Sequence, residues 1–366
     1  MYILIITCLT APYIVLLVIL TAGVVSTQRK VIRNNGASIG ISVVIAARNE
    51  EQNIEKVLIS LLNQDYPTQC FEIVVVDDHS DDATASQIPI SPLVKRVSLP
   101  ETIFGKKAAL RAGVAVAEFP YVAFIDADCT APNTWLKTLA SIIADKNPAL
   151  IVGPVGLLHE NSALSSFQEW EFRALQMVTF GCAAVGFPTL CNGANLCFKK
   201  EDYNHVNLKE KKTPSGDDIF LLHSLLKQKK TVAFSYYHEL LVTTNAQRNL
   251  KGMLQQKLRW ASKSKYVTNP ATLIVGAITA TANFAIVACT LYAATVREGI
   301  YLAAAVYFAK VLAEGFLVYI PSKKVYGARP SVHTFIISAL LMPFYATFVA
   351  LASLFLNFTW KQRTQR

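Results

Sequence analysis

Apolar residues fall in two patterns along this chain, and each predicts a different kind of element. Between residues 41 and 125, short β-rich runs alternate with stretches of helical spacing. The runs Ile41–Ala47, Phe71–Val76 and Tyr121–Ile125 are apolar enough to be buried strands, and a further strand is expected near Lys95–Ser98. Gln52–Asn63 places Ile54, Val57, Leu58, Leu61 and Leu62 on one helical face, and Lys106–Ala117 reads as a second helix. This β-α-β-α rhythm predicts a mostly parallel sheet with helices on both faces. No internal repeat or low-complexity stretch interrupts it, and Lys209-Glu210-Lys211-Lys212 reads as an exposed loop.

The second pattern is long and unbroken. Residues 1–27 carry no charged side chain and exceed the ~20 residues a spanning helix needs. The run lacks a basic stretch before it and is too long for the core of a signal peptide, so it reads as an uncleaved anchor. Residues 270–296 and 330–360 are nearly charge-free, His333 being the one titratable group in the latter. Between them, 299–321 is apolar but carries Lys310 and Glu314, giving four expected spans. Lys310 and Glu314 are four apart and share a helix face. A charge near mid-bilayer costs roughly 2.5–3.5 kcal/mol, so that face must point into the protein or a polar cavity. Two readings stay open: a self-neutralising pair that joins helices, or the border of a lateral cleft where a lipid headgroup waits.

Composition agrees with an integral membrane protein. Of 366 residues, 52% are hydrophobic and only 16% charged. The net charge of +10 would suit nucleic acid, but the basic residues cluster beside apolar runs, as in Gln28-Arg29-Lys30 and Ser322-Lys323-Lys324. That placement is explained by the positive-inside rule and anionic headgroups, so no nucleic-acid partner is expected. The same clusters, with Arg33 and Arg329, put the region after the first span in the cytoplasm; the expected location is a bacterial inner membrane. One feature disagrees. The tail Lys361–Arg366 is basic, yet a fourth full span would leave it outside, unless the last segment is re-entrant and bent at Met342-Pro343. The seven cysteines show no Cys-x-x-Cys spacing and read as reduced thiols.

The candidate chemistry is acidic. The run Tyr121–Ile125 ends in Asp126-Ala127-Asp128, which delivers two carboxylates to the carboxyl edge of a strand. Such hard oxygen ligands suit Mg2+ or Mn2+, although Asp-x-Asp also occurs in plain turns. Phe71–Val76 ends the same way in Asp77-Asp78-His79-Ser80, which is also good turn and helix-cap chemistry. Asp217-Asp218 follows Gly216 and opens a helical run with Ile219, Leu221, Leu222, Leu225 and Leu226. It could be a helix start with a favourable dipole interaction, or it could hold a general base. His223, one turn on, reads as a helix-supporting residue. Gln256, Arg259 and Trp260 lie at i, i+3 and i+4, as they also would on an amphipathic helix at a membrane surface, with Lys251, Lys257, Lys263 and Lys265 around them.

Taken in this order, the motifs resemble those of the family 2 glycosyltransferases, inverting enzymes with a nucleotide-sugar GT-A fold. The resemblance covers roughly residues 40 to 265, and the flanking apolar runs are similar to the membrane-integrated branch: cellulose, hyaluronan and chitin synthases, ceramide glucosyltransferase and polyprenyl-phosphate sugar transferases. It implies an α/β GT-A domain over 38–266, a transmembrane anchor over 1–27 and a helical membrane region over 270–360. Ile41–Glu50 looks like the family's first strand and nucleotide-contacting turn, which places Ala46, Arg48 and Glu50 against the donor. Gly105–Leu110 looks like its glycine-lysine segment, implicating Lys106. Asp77 and Asp78 would engage the donor's base and ribose, and Asp126 with Asp128 the metal and diphosphate. Asp218, with Asp217 as the lesser candidate, would be the base. Gln256, Arg259 and Trp260 would bind diphosphate and shape the acceptor pocket. Cys191-Asn192-Gly193-Ala194-Asn195 resembles the loop near the acceptor, with Asn192, Gly193 and Ala194 as a backbone platform.

The implied partners are a UDP-sugar (or a GDP-sugar), a divalent cation, the bilayer and a membrane lipid acceptor. Processive synthases surround a channel with more helices, often six or more, and this chain offers about four, with no carboxyl-terminal regulatory domain. A lipid reached sideways from the bilayer needs no channel, so glycolipid synthesis is preferred over polysaccharide synthesis. A membrane-anchored sugar-nucleotide-binding protein without activity is the third reading, and retention of all four motifs opposes it.

Overall fold

The computed structural model describes residues 2–27, 38–158, 160–204, 217–262, 266–355, 358–360 and 363–365. The expected cytoplasmic cluster Gln28-Arg29-Lys30 with Arg33, the Lys209–Lys212 loop, Gly216, Lys263, Lys265 and, from the basic tail, Lys361, Gln362 and Arg366 lie outside them. In chain order the elements are α1 (Tyr2–Ser26), β1 (Ile41–Ala47), α2 (Ile54–Leu62), β2 (Phe71–Asp77), β3 (Val94–Ser98), α3 (Lys106–Val116), β4 (Tyr121–Phe124), β5 (Cys129–Thr130), α4 (Trp135–Lys146), β6 (Leu150–Val152), β7 (Val155–Leu157) and α5 (Ala163–Ala184). They continue with β8 (Leu196–Lys199), α6 (Lys200–Asn204), α7 (Asp217–Lys227), β9 (Val232–Phe234), β10 (Val242–Thr244), α8 (Leu250–Ala261), α9 (Pro270–Thr295), α10 (Glu298–Tyr326), α11 (Val332–Phe355) and the short pair β11 (Phe358–Trp360) and β12 (Arg363–Gln365). The chain divides into two compact units: residues 29–156 with 190–245, and residues 1–28, 157–189 and 246–366. The expected 38–266 domain is therefore shared between them.

The first unit is built on a seven-stranded sheet of order β3-β2-β1-β4-β8-β6-β9. β3, β2, β1 and β4 run parallel, so Ala47 and Asp77 sit side by side at one edge and the chain leaving β4 reaches the same edge. β8 runs antiparallel to both β4 and β6, which brings its entry, not its exit, to that edge. Successive strand side chains point to opposite faces. Val44, Val74 and Val76 are buried on one face, with Leu110 and Val114 of α3 and Leu222 and Leu225 of α7. Val43, Ile45, Ile73 and Val75 are equally buried on the other, so the sheet is covered on both sides. This is the mostly parallel, two-faced α/β arrangement the alternation predicts, and the GT-A-like fold the resemblance implies. The antiparallel β8 and the three-residue strands β6 and β9 are not legible in the apolar pattern.

The second unit holds four helices long and apolar enough to cross a membrane: α1, α9, residues 299–326 of α10, and α11. The third outlasts its expected end at residue 321, running through Pro321 to Tyr326. Lys324 Nζ donates to the carbonyl of Thr27, and Tyr2 stacks on Tyr292 at 4.7 Å. The end of α1 therefore meets the end of α10, and its start meets the end of α9, as alternating spans require. Lys310 is fully buried. Its ammonium donates to Glu314 Oε2 at 2.7 Å and to the Ala339 carbonyl at 2.8 Å, while the Tyr13 hydroxyl donates to Glu314 Oε1 at 2.8 Å. Three helices, α1, α10 and α11, share this neutral cluster. It fastens these three helices to one another. α11 stays helical through Pro343, and both α11 and the β11 strand pack against α8.

Candidate functional site

Three loops and two helix starts meet at the carboxyl edge of β1, β2 and β4. The loop after β1 carries Arg48, Asn49 and Glu50, and the loop after β2 carries Asp78, His79 and Ser80. Asn49 and His79 both adopt positive φ, 51° and 57°, a conformation that asparagine and histidine tolerate better than most. The loops are tied together: Arg48 Nη1 donates to the Asp78 carbonyl at 2.8 Å and the Asn49 amide to Ser80 Oγ at 3.0 Å. The Glu50 amide donates to Thr84 Oγ1 at 2.7 Å. Ala46 lies just inside, in register with Val76.

Asp77 and Asp78 are both buried. Asp77 accepts from the Ser80 hydroxyl at 2.5 Å, closing the turn, and Asp78 Oδ2 accepts the Gly105 amide at 3.0 Å. The turn-forming reading of this pair thus has direct geometric support. Gly105 opens α3 at φ 100°, where a side chain would be strained.

The first turn of α3 carries Lys106 and Lys107. Lys106 Nζ lies 2.5 Å from Asp126 Oδ1, and Lys107 Nζ lies 3.0 Å from Asp217 Oδ1. Adjacent residues of one helix thus contact both acidic motifs, although Asp126 and Asp217 are far apart in sequence. Asp126 is half-buried, whereas Asp128 is exposed just beyond it; the Cys129 amide bonds back to the Asp126 carbonyl at 3.0 Å to close the turn.

At the entry to β8, Asn192 Oδ1 accepts the Ala194 amide and the Gly193 amide donates to Asp218 Oδ2 at 3.2 Å. The loop that resembles an acceptor platform therefore touches the base candidate through its backbone. Buried Asn195 pins this loop, donating to the Pro154 and Leu240 carbonyls at 2.7 Å and accepting from Trp135 Nε1. Asp218 Oδ1 accepts its neighbour's amide at Ile219, as carboxylates at helix starts do. Asp217 is buried; that burial raises its carboxyl pKa, with Asp218 adding to the rise and Lys107 and Arg111 opposing it. Sequence reading missed Lys107. Its signal was present, since two lysines in the first turn of a helix face the wrong end of the helix dipole.

Gln256, Arg259 and Trp260 lie half-buried on α8, in the other unit. Trp260 rests beside Phe172 at 6.0 Å, with Lys257 Nζ 4.3 Å over its ring and paired to Glu171. The acidic motifs, Lys106 and the Asn192–Ala194 loop come together in the first unit.

Among the described residues no three His, Cys, Asp or Glu side chains cluster to enclose a metal by themselves. Mg2+-type cations are commonly held by one or two carboxylates plus water and substrate phosphates. Half-buried Asp126 and exposed Asp128 fit that donor set.

The profile of glycosyl transferase family 2 matches residues 42–173, and that of glycosyl transferase family group 2 matches residues 121–358. The glycosyltransferase AglE of Haloferax volcanii is 29% identical over 140 residues, 37% of this chain and 46% of its own length. The poly-beta-1,6-N-acetyl-D-glucosamine synthase of Staphylococcus epidermidis is 26% identical over 240 residues, 61% of this chain and 54% of its own length. The chain thus spans about half the length of these curated relatives. Among solved structures, the mannosyltransferase PcManGT from Pyrobaculum calidifontis, in complex with GDP-Man and Mn2+, aligns with a TM-score of 0.60 at 17% identity. The alignment covers 94% of this chain and 99% of that one, a likeness of fold.

Proposed function

The chain belongs to glycosyl transferase family group 2, and from that premise we propose an inverting transfer of one sugar from a nucleoside diphosphate to a membrane lipid. The observation that carries this reading is the meeting of Asp126, Lys106, Gly193 and Asp218 at one sheet edge. The amino end of α3 and Lys106 supply positive charge where a diphosphate would lie, since helix N-termini and lysines both favour anions. Asp126 and Asp128 would hold a divalent cation, which when bound neutralises charge on the leaving diphosphate. PcManGT, with its GDP-Man and Mn2+, supports a donor and metal of this class. On this reading the donor is a UDP-sugar or a GDP-sugar and the transferred group a hexosyl or N-acetylhexosaminyl residue.

Asp218 acts as the base. It takes the proton of the acceptor hydroxyl as that oxygen attacks the anomeric carbon from the face opposite the diphosphate. The new C–O bond forms as the old one breaks, and the bonding pair leaves with the nucleoside diphosphate. One displacement inverts the anomeric centre. Arg48, Glu50, Asp77 and Asp78 frame the donor's nucleoside side as a preorganised loop pair, and Asn192, Gly193 and Ala194 border the acceptor side. For Gln256, Arg259 and Trp260 on α8, the role at the diphosphate and acceptor rests on the resemblance of their motif alone.

The lipid acceptor is supported by the four apolar helices and by the basic Lys323 and Lys324 at the end of α10, where α1 also finishes. On that reading residues 1–27 anchor the chain, 270–360 form the membrane region, and catalysis faces the cytosol of a bacterial inner membrane. The S. epidermidis relative favours a second reading, polysaccharide synthesis. Purified protein incubated with UDP- and GDP-sugars and a bacterial lipid extract separates them. Nucleoside diphosphate release that requires lipid supports glycolipid synthesis; release that builds a lengthening polymer without lipid supports the second reading.

Gly193 offers a graded check. A Cβ there would lie 3.3 Å from Asp218 Oδ2 and 3.4 Å from its Cβ, tight enough to displace the carboxylate by a few tenths of an ångström. Misplacing a reacting group by about 1 Å can cost ~10²-fold. Gly193→Ala is therefore expected to lower kcat by up to about 10-fold with donor KM unchanged, measured by nucleoside diphosphate release. An unchanged kcat would detach Asp218 from the reaction.

A further inference from the structure

Asp217 and Asp218 are neighbours with different surroundings. Asp217 has a nine-tenths-buried side chain, and its Oδ1 lies 3.0 Å from Lys107 Nζ. Arg111, one turn along α3, and the hydroxyl of buried Tyr203 complete its environment. A carboxylate so enclosed cannot meet an acceptor. Asp218, half-buried and touching the Gly193 amide, can.

Lys107 sits where helix energetics disfavour it. α3 begins at Gly105 with no side-chain cap and no acidic residue in its first turn, so both lysines oppose the helix dipole. Each such misplaced charge is disfavoured on its own. Lys106 offsets that cost at Asp126, and Lys107 offsets it at Asp217. Through this pair, the first turn of α7 is fixed to the first turn of α3.

We propose that Lys107 is a positioning residue for sugar transfer: its ion pair with Asp217 fixes the start of α7 and so aims Asp218 at the acceptor hydroxyl. The inference rests on Asp218 as the base. It also gives Asp217 a role, as the buried anchor of that pair. Removing one member of a buried pair leaves a lone charge and is far more damaging than removing both.

The test uses the full-length protein in detergent with four variants: Lys107→Met, Lys107→Arg, Asp217→Asn and the double Lys107→Met/Asp217→Asn. Turnover is followed by nucleoside diphosphate release, and equilibrium binding of UDP and GDP with Mn2+ is measured alongside. Lys107→Met is expected to lose kcat toward ~10²-fold, the scale of a misaimed reacting group, with nucleotide affinity unchanged. Lys107→Arg should recover most of that loss. The double variant should be faster than Lys107→Met, because no charge is left buried alone. Wild-type kcat in Lys107→Met overturns the inference, as does a loss of nucleotide affinity with kcat intact, which would move Lys107 into the donor site. A double variant slower than Lys107→Met overturns it too, making Asp217 itself a reacting group. Should Lys107→Met fail to accumulate, Lys107→Arg and the double variant carry the same comparison. Failure of the wild-type protein to release nucleoside diphosphate from any UDP- or GDP-sugar defeats the transferase reading instead.

Discussion

Asp218→Asn should lower kcat by about 10²–10⁴-fold, the usual loss when a general base is removed. The substitution is nearly isosteric. An asparagine carbonyl can still accept the Gly193 amide that now meets Asp218 Oδ2 at 3.2 Å, so the loop entering β8 keeps its place. Its NH2 then takes the place of Oδ1 and cannot accept the Ile219 amide, so that one short-range contact at the start of α7 is given up. Nor can the asparagine take a proton. Donor binding should survive, and nucleotide affinity measured by equilibrium binding should match wild type. Should affinity fall while kcat holds, Asp218 belongs to the donor-binding shell. Asp217→Asn provides the contrast, since it takes the Asp217 charge from its pair with Lys107 and the damage is to geometry.

Asp126→Ala and Asp128→Ala form the second large effect. Each removes a carboxylate from the sheet edge where the diphosphate would lie, and loss of one preorganised electrostatic group typically costs about 10²–10³-fold in kcat. Little packing is lost, because Asp126 is half-buried and Asp128 is exposed. Thermal unfolding in detergent should therefore hardly change. Chelation of divalent cations from the wild-type protein should stop turnover, and added Mn2+ or Mg2+ should restore it. Either alanine variant turning over at the wild-type rate with saturating cation would refute the ligand assignment.

Much of this site could be read from the chain because strands advertise themselves. β1, β2 and β4 are apolar runs buried on both faces, and two of them lead into paired acids, so strand and chemistry share one signal. The parallel order of these three follows from the helical spacing between them. Other parts depend on distant partners. β6 and β9 are three residues each, too short for a periodicity, and they exist because β8 lies between β6 and β4. Lys107 meets Asp217 only because α3 and the start of α7 converge on one edge, a juxtaposition no local pattern encodes. The charged pair in α10 shows the same limit. Its spacing announced a shared face, but Tyr13, which completes it, comes from the other end of the sequence.

The central claim, transfer of one sugar to a lipid, is tested most directly by mass spectrometry of lipids from cells expressing the protein. Extracts from wild-type and Asp218→Asn strains supplied with isotopically labelled sugar would be compared. A lipid heavier by a single labelled hexose or N-acetylhexosamine, present with the wild type and missing with the variant, is the result expected. A ladder of masses or a labelled water-soluble polymer, made by the wild type and absent with the variant, would contradict it.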